Sequence, residues 1–148
     1  MTDPKPTAQN NNPADQGGKS PDPLLKTILV VNYARDILAL MVAQLNRHGF
    51  PNVLTAGDGK KALELLNNSS VDLIVSDINM PDIDGFQLCR ILRSGEFSHN
   101  DNVPIILVSA TYRDIDAEQL ASYVGANAYI VKSSFDKSNL LETVRRLI

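Results

Sequence analysis

The sequence predicts a single α/β domain, a doubly wound, five-stranded parallel sheet covered by five helices. Three observations carry that expectation. Short apolar runs of buried-strand character recur five times between Ile28 and Val131. Segments with helical spacing alternate with them, which implies right-handed crossovers and a sheet covered on both faces. At 148 residues and 43% apolar content, the chain can bury one respectable core but not two.

The elements follow in order. Residues 1–23 hold five of the eight prolines among Asn, Gln, Gly, Asp and Ser. Such a stretch buries too little apolar surface to offset the entropy of ordering, so it reads as a flexible tail before a domain over 24–148. Gly18-Lys19-Ser20 imitates the end of a phosphate-binding loop, but the motif's first glycine would fall on Pro13 and no strand precedes it. Ile28 to Val31 is the first strand. Leu38, Met41, Val42 and Leu45 repeat at i, i+3, i+4, i+7, and Gly49 stands where a helix C-terminal glycine belongs. Val53-Leu54 is the second strand, and Leu63 with Leu66 marks a short helix. Leu73 to Val75 is the third strand, followed by a helix carrying Leu88, Ile91 and Leu92. Ile105 to Val108 precedes a stripe of Ala117, Leu120, Ala121 and Val124 that ends at Gly125. Tyr129 to Val131 and a final stripe of Leu140, Leu141, Val144 and Leu147 complete the pattern.

Composition narrows the function. A formal charge of −3 offers no general attraction to nucleic acid or anionic lipid, and the Arg145-Arg146 pair reads as a solvated helix end. Cys89 is the only cysteine, which excludes an internal disulfide framework and a multi-cysteine metal site and fits a reduced, cytoplasmic setting. The N-terminus has no apolar signal region, and no apolar stretch is long enough to span a bilayer. The Asn-x-Ser matches at Asn67 and Asn68 are read as chance on that ground.

In doubly wound sheets ligands sit beyond the carboxyl ends of the strands, where strand order reverses. There this chain carries Asn32 and Tyr33, Ser76 and Asp77, Ser109 and Ala110, and Lys132. A carboxylate, a hydroxyl and an ammonium group at one sheet edge can receive a phosphoryl group. Asp77 would be the nucleophile, while Ser109 and Lys132 would bind the equatorial oxygens of a loose transition state. A site of this kind normally wants Mg²⁺, held by carboxylates, phosphate oxygens and water. Pro81 disfavours helix at Met80, and Gly85 is expected to supply backbone angles closed to other residues, so 78–84 reads as an open loop.

The segment Asp77-Ile78-Asn79-Met80-Pro81-Asp82-Ile83-Asp84-Gly85 resembles the D-x-x-M-P-x-x-D-G signature of response-regulator receiver domains, which have a flavodoxin-like fold. The likeness continues through Val108-Ser109-Ala110 and through Gly125 to Lys132, and covers about residues 26–148. The resemblance implies a phosphoacceptor at Asp77, served by a histidine kinase or phosphotransfer protein. It implies that Ser109 and Lys132 contact the phosphoryl group and that Tyr129 is the aromatic that turns inward when the site is occupied. The metal ligands it implies are Asp77 and the backbone carbonyl of Asn79.

Two departures stand out. Receivers usually end the first strand with two adjacent acids, and here Asn32 and Tyr33 hold those positions, a degenerate acidic pair that should bind Mg²⁺ weakly or not at all. Asp36, near the next helix start, is expected to cap it. Ser133 replaces the proline the family normally places after the lysine, so the cis bond implied there would be costly. The expectation is therefore a regulator that is not a turnover enzyme, either a phospho-receiver or a pseudo-receiver that acts as a phosphorylation-independent interaction module. A flavodoxin-like enzyme or nucleotide binder is disfavoured because no glycine-rich loop follows the first strand. With the last helix ending near Ile148, the expectation is either signalling by docking onto a downstream protein or a chain that is a fragment of something longer.

Overall fold

The computed structural model describes residues 22–97, 100–109, 115–131 and 137–148. Most of the expected tail, up to residue 21, lies outside these residues, as do Ala110, Lys132 and Ser133. A single 3₁₀ turn, Pro23–Leu25, leads into the domain and is tied to it by the Asn52 side-chain amide, which donates to the Leu24 carbonyl at 2.7 Å. Ten elements then alternate. They are β1 (Thr27–Val31), α1 (Arg35–Arg47), β2 (Asn52–Ala56), α2 (Gly59–Asn68), β3 (Leu73–Asp77), α3 (Gly85–Arg93), β4 (Ile105–Ser109), α4 (Ile115–Tyr123), β5 (Ala128–Val131) and α5 (Lys137–Leu147).

All strand pairs are parallel and the order is β2-β1-β3-β4-β5. The order reverses between β1 and β3, so the crevice beyond their carboxyl ends is the place for a site. Strand alternation divides the core into two layers. Leu29, Val31, Ile74, Ile105 and Leu107 pack with Ala62, Leu66, Leu88, Cys89, Leu92 and Ala121 from α2, α3 and α4 and with Val124 just after α4. Ile28, Val30, Leu73, Val75, Ile106 and Val108 pack with Met41 and Leu45 of α1 and with Leu140, Leu141 and Val144 of α5.

Gly49 follows α1 at φ 98°, and Phe50 N–H donates back to the Leu45 carbonyl at 3.0 Å, the closure expected of a left-handed helix end. Gly125 plays the same part after α4 at φ 99°. Two stripes differ from the sequence reading. On α1, Gln44 is buried where Val42 is only half-buried. On α4, Leu120 is 43% exposed, because a helix lying over the edge strand β5 buries a narrower stripe, here Ala117, Ala121 and Val124.

Two polar side chains join segments far apart in sequence. Asn100 is fully buried; its Oδ1 accepts from Val71 N–H at 3.1 Å, and its Nδ2 donates to the Leu66 and Ser69 carbonyls, both at 2.8 Å. Arg93, at the end of α3, donates to the carbonyls of Asp101 (2.8 Å), Val103 (2.8 Å) and Gly125 (2.9 Å) and to Asn127 Oδ1 (3.1 Å). Burial pulls its pKa down, an effect opposed by Cys89 and Asp101 beside it. This guanidinium holds the loop before β4 and the turn before β5 to α3, at the end of the sheet away from the reversal crevice.

Candidate functional site

Asp77 is the last residue of β3 and Ser109 the last of β4, so each is held by the strand rather than by the loop after it. In the ladder Asp77 pairs with Val108, and Ile78 N–H extends the pairing by donating to the Val108 carbonyl at 3.1 Å. Asp77 is partly buried and its Oδ1 accepts from Ile78 N–H at 3.0 Å. Ser109 is fully buried. Ser76 is buried beneath, its hydroxyl donating to the Asp77 carbonyl at 2.8 Å.

On the other side of β3, Val31 pairs with Ser76, so Asn32 stands beside Asp77 one step further along. Strand alternation places both on the α1 and α5 face. Asn32 is 2% exposed; its N–H donates to the Ala56 carbonyl at 3.1 Å, and its Oδ1 accepts from Ala34 N–H at 2.9 Å. That Asx turn, rather than an acid, shapes the entry to α1. Tyr33, by contrast, is 62% exposed.

The expected cap at Asp36 is not found. Ala34 is the N-cap residue and makes no side-chain cap bond, while Asp36 sits inside the first turn with its Oδ1 accepting from Ile37 N–H at 3.0 Å. An aspartate already inside the helix cannot reach the donors that an N-cap residue covers, although its charge still suits the positive helix end.

The loop after Asp77 is built from three local devices. Ile83 N–H donates to the Pro81 carbonyl at 2.8 Å across Asp82, which holds φ 67°, a three-residue turn with a left-handed centre. Gly85 N–H then donates to the Ile78 carbonyl at 2.9 Å and closes the loop at its neck. Asp84 and Gln87 form a capping box at the start of α3, with bonds of 2.8 and 2.9 Å. The Asp-x-x-Gln spacing of that box was readable in the sequence and was not singled out. The reason for Gly85 is also corrected. Its φ is not left-handed; what requires glycine is space, because a Cβ there would lie 2.6 Å from the Asp77 carbonyl oxygen and 2.9 Å from Ile78 Cα. Gly59 at the start of α2 meets the loop the same way, its missing Cβ position being 2.8 Å from both Cβ and O of Ile83. The left-handed residue is Asp82, which the sequence reading did not identify.

Of the remaining expected residues, Asn79 is exposed in the loop, and Tyr129 is half-buried in β5 and packed against the α2-α3-α4 core layer. Lys132 lies outside the described residues. The donor set falls short of a magnesium centre. Among the described residues no three His, Cys, Asp or Glu side chains gather, Asn32 Oδ1 is engaged by the backbone, and Tyr33 offers an exposed neutral phenol where a hard cation needs an anionic oxygen. Among the described residues no helix is long and apolar enough to cross a membrane.

Comparison with known proteins gives one consistent answer. Residues 28–145 match the family described as response regulator receiver domain. The alkaline phosphatase synthesis transcriptional regulatory protein PhoP of Bacillus subtilis is 35% identical over 72% of this chain and 42% of its own length. The response regulator MprA of Mycobacterium sp. (strain KMS) is 36% identical over 82% of this chain and 50% of its own. The chain thus spans half or less of the length of these relatives. Among solved structures, the chemotaxis response regulator CheY4 of Vibrio cholerae superposes with TM-score 0.74 at 29% identity, over 83% of this chain and 98% of that one. The receiver domain of the Francisella response regulator 1452 gives TM-score 0.74 at 30% identity, over 82% and 95%.

Proposed function

Since this chain belongs to the response regulator receiver domain family, a family of two-component signalling modules, we propose that it accepts a phosphoryl group on Asp77 from a histidine kinase or phosphotransfer protein. It then signals by docking onto a downstream protein. The observation that supports this reading is the placement of Asp77 and Ser109 at the ends of the adjacent parallel strands β3 and β4, with Asp77 bordering the β1–β3 crevice where strand order reverses. A carboxylate oxygen of Asp77 attacks phosphorus in line; the new P–O bond forms as the bond to the donor's leaving atom breaks, and the leaving group takes up a proton from water. The Ser109 hydroxyl donates to a phosphoryl oxygen, and Lys132 is the cation the sequence assigns to another. Tyr129, half-buried between β5 and the helical layer, is the residue whose packing would report occupancy. Receiver domains typically bind Mg²⁺ at the acidic site; here the residues do not fit the ion, and we propose that it binds weakly or not at all. The domain acts as a regulator and not as a turnover enzyme. The receiver is read as residues 24–148, with residues 1–23 as a lead before it.

A second reading, a pseudo-receiver that docks without phosphorylation, is favoured by Asn32 and Tyr33 in place of the acids. One experiment separates the two. The protein is incubated with a small-molecule phosphodonor, with and without Mg²⁺, and its intact mass is measured. An adduct of one phosphoryl mass that disappears in Asp77→Asn supports the acceptor reading. An adduct that survives the substitution overturns the assignment, and no adduct under any condition establishes the pseudo-receiver.

A further inference from the structure

We infer that Ser76 is a positioning residue for Asp77. Its buried hydroxyl holds the carbonyl end of the peptide that joins Asp77 to Ile78, and so aims the amide end of the same peptide at the carboxylate. The inference rests on Asp77 being the acceptor of the proposed transfer and names what holds it in place. Three contacts form a chain. Ser76 Oγ donates to the Asp77 carbonyl at 2.8 Å. The Ile78 N–H of that peptide donates to Asp77 Oδ1 at 3.0 Å and shares its proton with the Val108 carbonyl at 3.1 Å. Gly85 closes the loop side, where even a Cβ would lie 2.6 Å from the Asp77 carbonyl oxygen.

A peptide unit is a rigid plane, so a grip on its oxygen fixes the direction of its N–H. Donation to the carbonyl also polarises the unit and strengthens the bond that its N–H makes in turn. Strand alternation puts the Ser76 side chain in the layer of Ile74 and Leu107, and the Asp77 side chain on the opposite face with Val75. The hydroxyl therefore acts on the carboxylate through this peptide and not by direct contact. A fully buried hydroxyl in an apolar layer is costly unless it is bonded, and the bond it makes is the one to the Asp77 carbonyl. With Oδ1 held by the backbone, Oδ2 is the oxygen that attacks phosphorus in the proposed transfer.

Ser76→Ala deletes the hydroxyl and Ser76→Thr keeps it. Two readouts are taken on the full chain, with urea denaturation to confirm that each variant is folded. In the absence of phosphodonor, three-bond NMR couplings from the backbone nitrogen and carbonyl carbon to Asp77 Cγ report its χ1 angle. Wild type and Ser76→Thr should give the values of a single rotamer, and Ser76→Ala rotamer-averaged ones. With a small-molecule phosphodonor, modification at Asp77 followed by intact mass should be roughly 10-fold slower in Ser76→Ala, within the range that a slightly misplaced reacting group costs. Ser76→Thr should recover the rate. Should Ser76→Thr fail to fold, Ser76→Cys replaces it and should fall between wild type and Ser76→Ala, because a thiol is a weaker donor. A merely structural hydroxyl would lower the urea midpoint of Ser76→Ala and leave the couplings and the rate as in wild type. Either readout unchanged in the folded Ser76→Ala protein overturns the inference. The couplings need no phosphodonor, so a wild type that takes no phosphoryl group sinks the acceptor reading while the couplings still decide whether Ser76 aims the carboxylate. A wild type modified on Asp77 at the same rate as Ser76→Ala sinks the positioning role alone.

Discussion

One methyl group at Gly85 tests how tightly the loop after Asp77 is packed. Replacing glycine by alanine in the first turn of a helix ordinarily stabilises a protein by about 0.4–1 kcal/mol, because the unfolded chain loses freedom. Gly85 has no left-handed φ to oppose that gain. Its surroundings reverse the sign. The added Cβ would lie 2.6 Å from the Asp77 carbonyl oxygen, 2.9 Å from Ile78 Cα and 3.2 Å from Leu107 Cδ2, and the first two are backbone atoms that cannot swing aside. Relief must come from moving the start of α3, which stretches the 2.9 Å bond from Gly85 N–H to the Ile78 carbonyl. Overpacking costs about 1–3 kcal/mol and the weakened hydrogen bond about 1, so after the unfolded-state gain Gly85→Ala should be about 1–3.5 kcal/mol less stable than wild type. Urea denaturation followed by far-UV circular dichroism measures this. Gly57→Ala is the control, since nothing lies within 4 Å of its Cβ position and its φ is not left-handed; it should be neutral or slightly stabilising. A Gly85→Ala midpoint at or above wild type would refute the steric argument, and with it the claim that the loop is held against the end of β3.

Other consequences follow from the same geometry. Arg93→Ala takes the guanidinium donors from three backbone carbonyls, those of Asp101, Val103 and Gly125, while Asn127 Oδ1 keeps its bond from Ile105 N–H at 2.9 Å; a loss of about 2–4 kcal/mol in urea is expected, with Arg93→Lys recovering only part because one ammonium cannot span the fork. Burial pushes the Cys89 thiol from 9.0 up to about 12, so it should resist iodoacetamide at pH 8 in the native protein and react fully in denaturant. The unfolded chain releases that proton first, so Cys89 contributes its full stabilisation below pH 9 and loses it as pH rises from 9 toward 12, which pH-dependent urea midpoints would detect. Replacing Asn32 and Tyr33 together by Asp should restore an acidic pair and tighten Mg²⁺ binding in an NMR titration; if wild type binds the ion as tightly, the missing acids are not what weakens the site.

The sequence by itself determined the alternation of five strands and five helices, the sheet edge where polar groups collect, and the membership of Asp77 and Ser109 in that group. Each of these is written in local spacing: burial repeats with the period of the element, and the Asp77 to Gly85 motif lies on one loop. Only the tertiary structure decided the rest. Gly85 is required by the backbone of Asp77 and Ile78 and not by its own φ. Leu120 is exposed because its helix covers an edge strand. Arg93 reads in sequence as an ordinary basic last turn, yet it binds residues up to 34 positions away. Asn32 reads as a missing acid, and only the Ala34 bond shows which way its amide is turned. These outcomes depend on which atoms from distant segments share a space, and the local period of hydrophobicity carries no information about that.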